Sequence, residues 1–342
     1  MKTAVVLFNL GGPDSRASVR PFLFNLFNDK AIIAVFQPLR ALIAMVISFR
    51  RMAKAKDIYE KIGDRSPILE HTQEQAEALE KELSLKGQYK VFIAMRYSHP
   101  LSAETVKEVK NYAPDKVVLL PLYPQFSTTT SGSSFDMWYA EAKKQKLHVP
   151  HHPVCCYSFD NHFIGAHAEL IKPAYIEAAK HGHPRLLFSA HGLPQKIIDK
   201  GDPYQWQIER TVSALQRKLN LPDYVICYQS RVGPLEWIGP STEDEIKRAG
   251  IDGVPLVIVP ISFVSEHSET LVELDIEYRI LANKNGVPHY ERVEALGVHT
   301  EFIQALSWLT EATSLYPNCS NSLGRQCPKE FKKCGFKEWK MN

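Results

Sequence analysis

Six apolar runs punctuate the chain: 3–9 (TAVVLFN), 90–96 (KVFIAMR), 116–121 (KVVLLP), 185–190 (RLLFSA), 224–228 (YVICY) and 255–261 (PLVIVPI). Several are unbroken and rich in β-branched residues, the pattern of parallel strands buried on both faces. Between them, the stretches 73–86, 103–112, 205–219 and 298–313 return apolar residues at helical spacing. Strands alternating with helices predict an α/β protein with doubly wound parallel sheets.

The pattern also repeats. LFNLGGP (7–13) resembles LFSAHGLP (187–194), VFIAMRYSHPL (91–101) resembles VICYQSRVGPL (225–235), and VVLLPLYPQFSTTTSGSS (117–134) resembles LVIVPISFVSEHSET (256–270). Three matches in one order predict two similar domains. The seam lies near 150–180, where HVPHHPVCCYSFDNH breaks all periodicity. The expected division is 1–160, 161–313 and a Cys/Lys-rich tail at 314–342. In open parallel sheets ligands sit at the carboxyl ends of strands, so the turns after these runs are where chemistry is expected.

Composition changes this picture little. The 342 residues carry a formal net charge of +3, with 44% hydrophobic and 23% charged residues, an ordinary globular balance. No basic stripe interleaved with aromatics argues for nucleic acid. The N-terminus enters a strand at once and does not read as a signal peptide. With six cysteines and no disulfide framework, a reducing cytoplasm is expected. The longest apolar region, 31–49, is interrupted by Gln37, Pro38 and Arg40, which leaves it short of a membrane span. Two readings stay open for it: a buried helix pair, or an exposed apolar lip that touches a membrane surface or a greasy ligand.

The stretch FVSEHSETLVELDIEY (263–278) holds Glu266, Glu269, Glu273, Glu277 and Asp275 and no lysine or arginine. On an ideal helix the four glutamates form a stripe about 80° wide. Leu271, Leu274 and Tyr278 flank it on one side, and Val272 and Ile276 on the other. Carboxylates between apolar flanks are costly unless cations, protons or hydrogen bonds compensate. The helix thus reads as a rail for a divalent metal or for protons. In FSAHGLP, His191 directly follows an apolar strand and precedes Gly192 and Pro194, a loop position where functional side chains concentrate. A carboxylate beside it would fix its tautomer and support its charged form.

Taken together, FSAHGLP, YQSRVGPLEWIGP, SEHSETLVELDIEY, AMRYSHP and LYPQFSTTTSGSS resemble the ferrochelatase family from NLGGP to about residue 312. The resemblance implies two Rossmann-like, chelatase-type domains with the active site in the cleft between them. It implies insertion of Fe²⁺ into a porphyrin, with the metal as substrate and no cofactor needed for the chemistry. His191 matches the family's proton acceptor or metal ligand, and Glu269 its key glutamate. Glu273 and Glu277 match the following acids, on a helix that carries a π-type distortion in the family. Arg96, Tyr97 and Trp237 match porphyrin contacts, and Arg51, Lys54 and Ser230, with Tyr59 beside them, match residues that hold the propionates. Leu10 stands where animal members have methionine. The segment 31–49 matches the family's active-site lip, with peripheral contact at the inner membrane an expectation. A haem carrier would share such a pocket but need no base at His191; against a cobalt-corrin chelatase, Trp237 and the lip favour the iron enzyme. The choice between protoporphyrin and coproporphyrin, and the oligomeric state, stay open.

Cys319, Cys327 and Cys334 in the tail, with Cys155 or Cys156, would supply four thiolates for the [2Fe–2S] cluster that some family members carry. The internal cysteine of the animal enzymes aligns with Thr128. His148, His151 and His152 suggest a zinc site, but prolines restrict their loop.

Overall fold

The computed structural model describes residues 1–231, 233–315 and 324–336. They form two compact units. The first is Met1–Cys156 with the described residues of Leu306–Gln326 and Gly335–Asn342; the second is Tyr157–Ala305 with Cys327–Cys334.

Each unit is built on a four-stranded parallel sheet. In the first, β1 (Lys2–Asn9), β2 (Gln88–Met95), β3 (Lys116–Pro121) and β4 (His151–Pro153) run in the order β2-β1-β3-β4. In the second, β5 (Arg185–His191), β6 (Tyr224–Gln229), β7 (Leu256–Pro260) and β8 (Tyr290–Arg292) run in the order β6-β5-β7-β8. The two orders are the same order, so the repeat in the sequence is a repeat of topology. All six apolar runs are strands. The edge strands β4 and β8, three residues each, escaped the pattern because a strand so short has no periodicity to show.

Register makes the equivalence specific. Phe8 pairs with Pro121, and Ser189 with Pro260. Leu10 therefore holds the position in the first unit that His191 holds in the second. On the other side Asn9 pairs with Met95, and Ala190 with Tyr228. That makes Gln229, not Arg231, the counterpart of Arg96. The sequence match of the two arginines was therefore two residues out of register. The Pro-Leu match fails too. Met95 donates its N–H to the Pro100 carbonyl and Tyr228 to that of Pro240, so the connection after β6 is the longer one and carries Trp237.

Helices cover the sheets. On the first sheet Val6, Phe8 and Leu119 pack with Phe135 and Trp138 of α5 (Ser131–Lys144), both aromatic side chains being fully buried. On the second, Leu187 and Ile258 pack with Ile246 of α9 (Thr242–Asp252) and with Leu274 and Tyr278. Each such side chain contributes about 1.5–3 kcal/mol on burial. Local caps fix the helix starts: Asp160 accepts from the N–H groups of His162 and Phe163 before α6 (Asn161–Ala179), and Ser241 from that of Asp244 before α9.

Candidate active site

His191 ends β5. Its backbone N–H donates to Ser262 Oγ at 3.2 Å, and its carbonyl accepts from the Tyr204 hydroxyl at 3.1 Å. Gly192 follows at a crowded point, where a Cβ would lie 2.9 Å from the Gln229 carbonyl oxygen and 3.3 Å from the Trp237 ring. The requirement for glycine is thus close approach rather than a tight turn. The half-buried Trp237 is held there by backbone bonds on either side of it, from Gln195 to the Glu236 carbonyl and from Ile238 to the Leu193 carbonyl.

The imidazole Nδ1 of His191 lies 2.8 Å from Glu269 Oε2. Glu269 opens a nine-residue π-helix, Glu269–Glu277, that continues into α10 (Tyr278–Lys284). Its wider i→i+5 winding replaces the ideal α-helix assumed from the sequence. Thr270, Val272 and Leu274 are buried and anchor it on the sheet. Glu273 accepts from Gln229 Nε2 at 3.1 Å, from the Ser230 N–H at 2.9 Å, from the Ser230 hydroxyl, and from the Tyr278 hydroxyl at 3.0 Å. Ser230, matched by resemblance to a propionate contact, thus has its side chain on Glu273.

These contacts separate the proton affinities of neighbouring groups. Burial works against charge on His191, but the Glu269 carboxylate outweighs it and raises the imidazole above its ordinary value. Burial likewise disfavours the Glu269 anion, yet His191 and then His267 hold it down at about 2. Glu273 is raised, by burial first and by the Glu269 charge second. Two carboxylates one turn apart on a helix are therefore pushed in opposite directions, Glu269 down and Glu273 up.

Two partners went unassigned in the sequence. His267 is buried, with Nδ1 3.1 Å from the Ser265 carbonyl oxygen and Nε2 4.0 Å from Glu269 Oε2. Gln229 reaches both the Glu269 carbonyl and the Glu273 carboxylate, each at 3.1 Å. His267 stands two residues before Glu269 in the acidic stretch, and that proximity was its only signal.

The stripe of four glutamates does not hold as a unit. Glu266 turns to Arg292 of β8, with Nη1 2.7 Å from Oε1, and Arg292 Nη2 lies 2.8 Å from Asp275. A cation from a distant strand thus supplies what the stretch lacks. Despite burial, Arg292 keeps Glu266 below the usual carboxylate range. Glu277 is exposed.

In the first unit Arg96 and Tyr97 converge on Asp29, which the sequence did not single out. Asp29 Oδ2 accepts from Arg96 Nη2 at 2.8 Å, from the Tyr97 hydroxyl at 2.7 Å and from the Ser133 hydroxyl, while Arg96 Nε donates to Ser133 Oγ at 2.8 Å. Burial would raise the Asp29 carboxyl; Arg96 and these donors hold it below its ordinary value. Tyr97 and Tyr59 are buried in one cluster with Val19, Phe22 and Leu23, against which Leu10 packs. Arg51 lies over the Phe27 ring at 5.6 Å, and Lys54 is exposed.

The segment 31–49 is not a buried helix pair. From Gln37 it is the start of the 24-residue α2 (Gln37–Glu60), with Pro38 in the first turn. Phe36, Leu39, Leu42, Met45, Val46 and Phe49 are exposed, while Ala44 and Ser48 are buried. No helix among the described residues is long and apolar enough to cross a membrane.

Cys155 and Cys156 are buried in the first unit, and Cys327 and Cys334 in the second; Cys319 lies outside the described residues. Among the described residues no three His, Cys, Asp or Glu side chains converge to hold a metal ion. His151 and His152 are adjacent in β4 and so project to opposite faces. The His151 ring lies near Trp138 and Tyr139, and burial takes it down to about 4.

The ferrochelatase family model matches residues 2–314. A ferrochelatase of Pelagibacter ubique is 49% identical over 98% of each chain, and one of Caulobacter vibrioides is 49% identical over the same shares. A Wolbachia ferrochelatase is 53% identical over 90% of this chain and 98% of its own. Two solved structures of the chelatase SirB from Bacillus subtilis share the fold. One, with Fe³⁺, has a TM-score of 0.54 at 14% identity and covers 92% of this chain and 96% of its own. The other, with cobalt, has a TM-score of 0.55 at 12% identity, covering 93% and 97%. The chain belongs to the ferrochelatase family and is a porphyrin metal chelatase.

Proposed function

We propose that the protein inserts Fe²⁺ into protoporphyrin IX, forming protohaem and releasing two protons, as the terminal step of haem biosynthesis. The observation that carries this reading is the His191–Glu269 contact at 2.8 Å, with Glu273, its proton affinity raised by burial and by the Glu269 charge, next along the helix. As Fe²⁺ enters the macrocycle, both pyrrole N–H protons must leave. Glu269 fixes the proton of the neutral imidazole on Nδ1 and leaves Nε2 as acceptor. It then stabilises the imidazolium that forms, and a positioned base of this kind gives about 10²–10⁴ in rate. Glu273 takes the proton onward, and the exposed Glu277 passes it to water. His191 and Glu269 are also the donors offered to the incoming Fe²⁺ substrate, imidazole with carboxylate being a set that iron accepts.

Arg96, Tyr97, Leu10 and Trp237 contact the ring, and Arg51 and Lys54, with Tyr59 beside them, bind the propionates. Asp29 orients Arg96 for that task. Bending the ring to expose its nitrogen lone pairs costs about 1–5 kcal/mol, which these contacts supply. The exposed stripe of α2 accounts for the lip: it meets apolar substrate or the inner-membrane surface from the cytoplasmic side. Cys156, Cys319, Cys327 and Cys334 are the candidate ligands of a [2Fe–2S] cluster, and an absorption spectrum of the anaerobically purified protein tests for one.

Anaerobic incubation with Fe²⁺ and protoporphyrin tests the main reading. The Soret band should move to that of haem, and a band that stays at free porphyrin sinks it.

A further inference from the structure

The backbone of His191 is gripped on both sides by side chains, Ser262 on its N–H and Tyr204 on its carbonyl. Tyr204 is 5% exposed and begins α8 (Tyr204–Leu219), with its own N–H donating to Asp202 at 3.0 Å. The residues on either side of Tyr204 are held by the C-terminal segment of the same unit. Lys333 donates its N–H to the Gly201 carbonyl at 3.0 Å. The Phe331 ring lies 5.8 Å from that of Trp206. Gln207 Nε2 donates to Cys327 Sγ at 3.2 Å. Gly201 has φ +90, and a Cβ there would sit 2.9 Å from Lys332 N, so segment and turn are fitted backbone to backbone.

We infer that Tyr204 is a positioning residue for His191 and that residues 327–334 brace it, so that the tail sets the placement of the imidazole. The inference rests on the proposed role of His191 and deepens it. Tyr204 acts through a backbone carbonyl, so its loss changes where the base sits, and a misplacement near 1 Å costs about 10²-fold in rate.

The test uses the full chain, with thermal melts to confirm folding. Tyr204→Phe removes one oxygen. It should lower kcat about tenfold to hundredfold, leave KM for Fe²⁺ and porphyrin within about twofold, and shift the ¹⁵N ring resonance of His191. Phe331→Ala touches no substrate. It should move kcat and the resonance in the same direction by less, and add little in the double variant, because both act through one contact. If Tyr204→Phe unfolds early, Ser262→Ala probes the other grip with the same readouts. Wild-type kcat with an unmoved resonance in Tyr204→Phe overturns the positioning role; full multiplication of the two effects overturns the brace. A wild-type protein that inserts no metal sinks the proposed function instead, and the His191 resonance still decides this inference.

Discussion

The carboxyl ends of β1 and β5 are equivalent places in two sheets of one topology, yet Leu10 stands at one and His191 at the other. The difference extends to the next strand over. Arg96 after β2 neutralises Asp29, to which the Tyr97 hydroxyl also donates, while Gln229 and Ser230, their counterparts in the second unit, hold Glu273. Both networks satisfy a buried carboxylate. The first does so with a permanent cation, which leaves nothing to titrate near neutrality. The second uses neutral donors, which do not offset burial and the Glu269 charge, so Glu273 is raised. A duplicated scaffold thus presents an ionic clamp in one copy and a carboxyl of raised proton affinity in the other.

The sharpest way to break the comparison is at its two equivalent positions. His191→Ala should lower the rate of metal insertion by about 10²–10⁴. Leu10→Ala removes packing only and should cost less than about tenfold. Stopped-flow Soret measurements at saturating metal check both, and equal losses would mean that the two halves contribute alike.

Next in size is the ionic clamp. Arg96→Leu leaves Asp29 buried without its cation and should destabilise the protein by about 3–5 kcal/mol. Arg292→Leu, which strands Glu266 and Asp275, belongs to the same class. Because Asp29 and Glu266 are held below their ordinary values, their stabilisation is complete above the unfolded carboxylate pKa and is lost as pH falls. In urea titrations the deficit of either variant should therefore shrink below about pH 4, where the unfolded carboxyls take up protons. A deficit that stays constant to pH 3 would show packing, not charge, to be the cause.

Along the helix the effect should fall off outward. Glu273→Gln should slow turnover about tenfold and Glu277→Gln less than about twofold, since water replaces the exposed acid as proton acceptor. The reverse order would mean that protons do not leave along the π-helix.

Much of this architecture was legible in the chain, for physical reasons that also mark where reading stopped. Strands buried on both faces write themselves as unbroken apolar runs, so six were visible, whereas β4 and β8 were too short to write anything. His191 and Glu269 were legible because each follows a strand end or opens a helix. The partition of the acids was not, because an assumed 3.6-residue period puts Glu266 on one stripe with Glu269 and Glu273, while the fold sends it to Arg292. Asp29 was invisible for a similar reason: its partners lie far along the chain, and nothing in its local pattern sets it apart. The exposure of Phe36, Leu42 and Phe49 was undecidable, since a core helix and an apolar lip have the same periodicity.

The smallest effect concerns a group with no part in the chemistry. His167 on α6 is fully buried, edge-on to Phe163 at 4.8 Å, and neither ring nitrogen has a hydrogen-bond partner. Burial, reinforced by the nearby His299, takes it down to about 3. His299 is itself paired with Glu169 at 3.2 Å, so no carboxylate is directed to His167. A neutral folded histidine that becomes charged on unfolding stabilises the fold above the unfolded pKa, near 6.5, and that stabilisation drains away as pH falls toward 3. The slope is about 1.4 kcal/mol per pH unit for one proton. His167→Gln removes the titration. The variant should be less stable than the parent at pH 8, where an unpaired amide replaces a ring packed on Phe163, and should close part of that gap by pH 5. Parallel stability curves from pH 8 to 5 would show that water reaches His167.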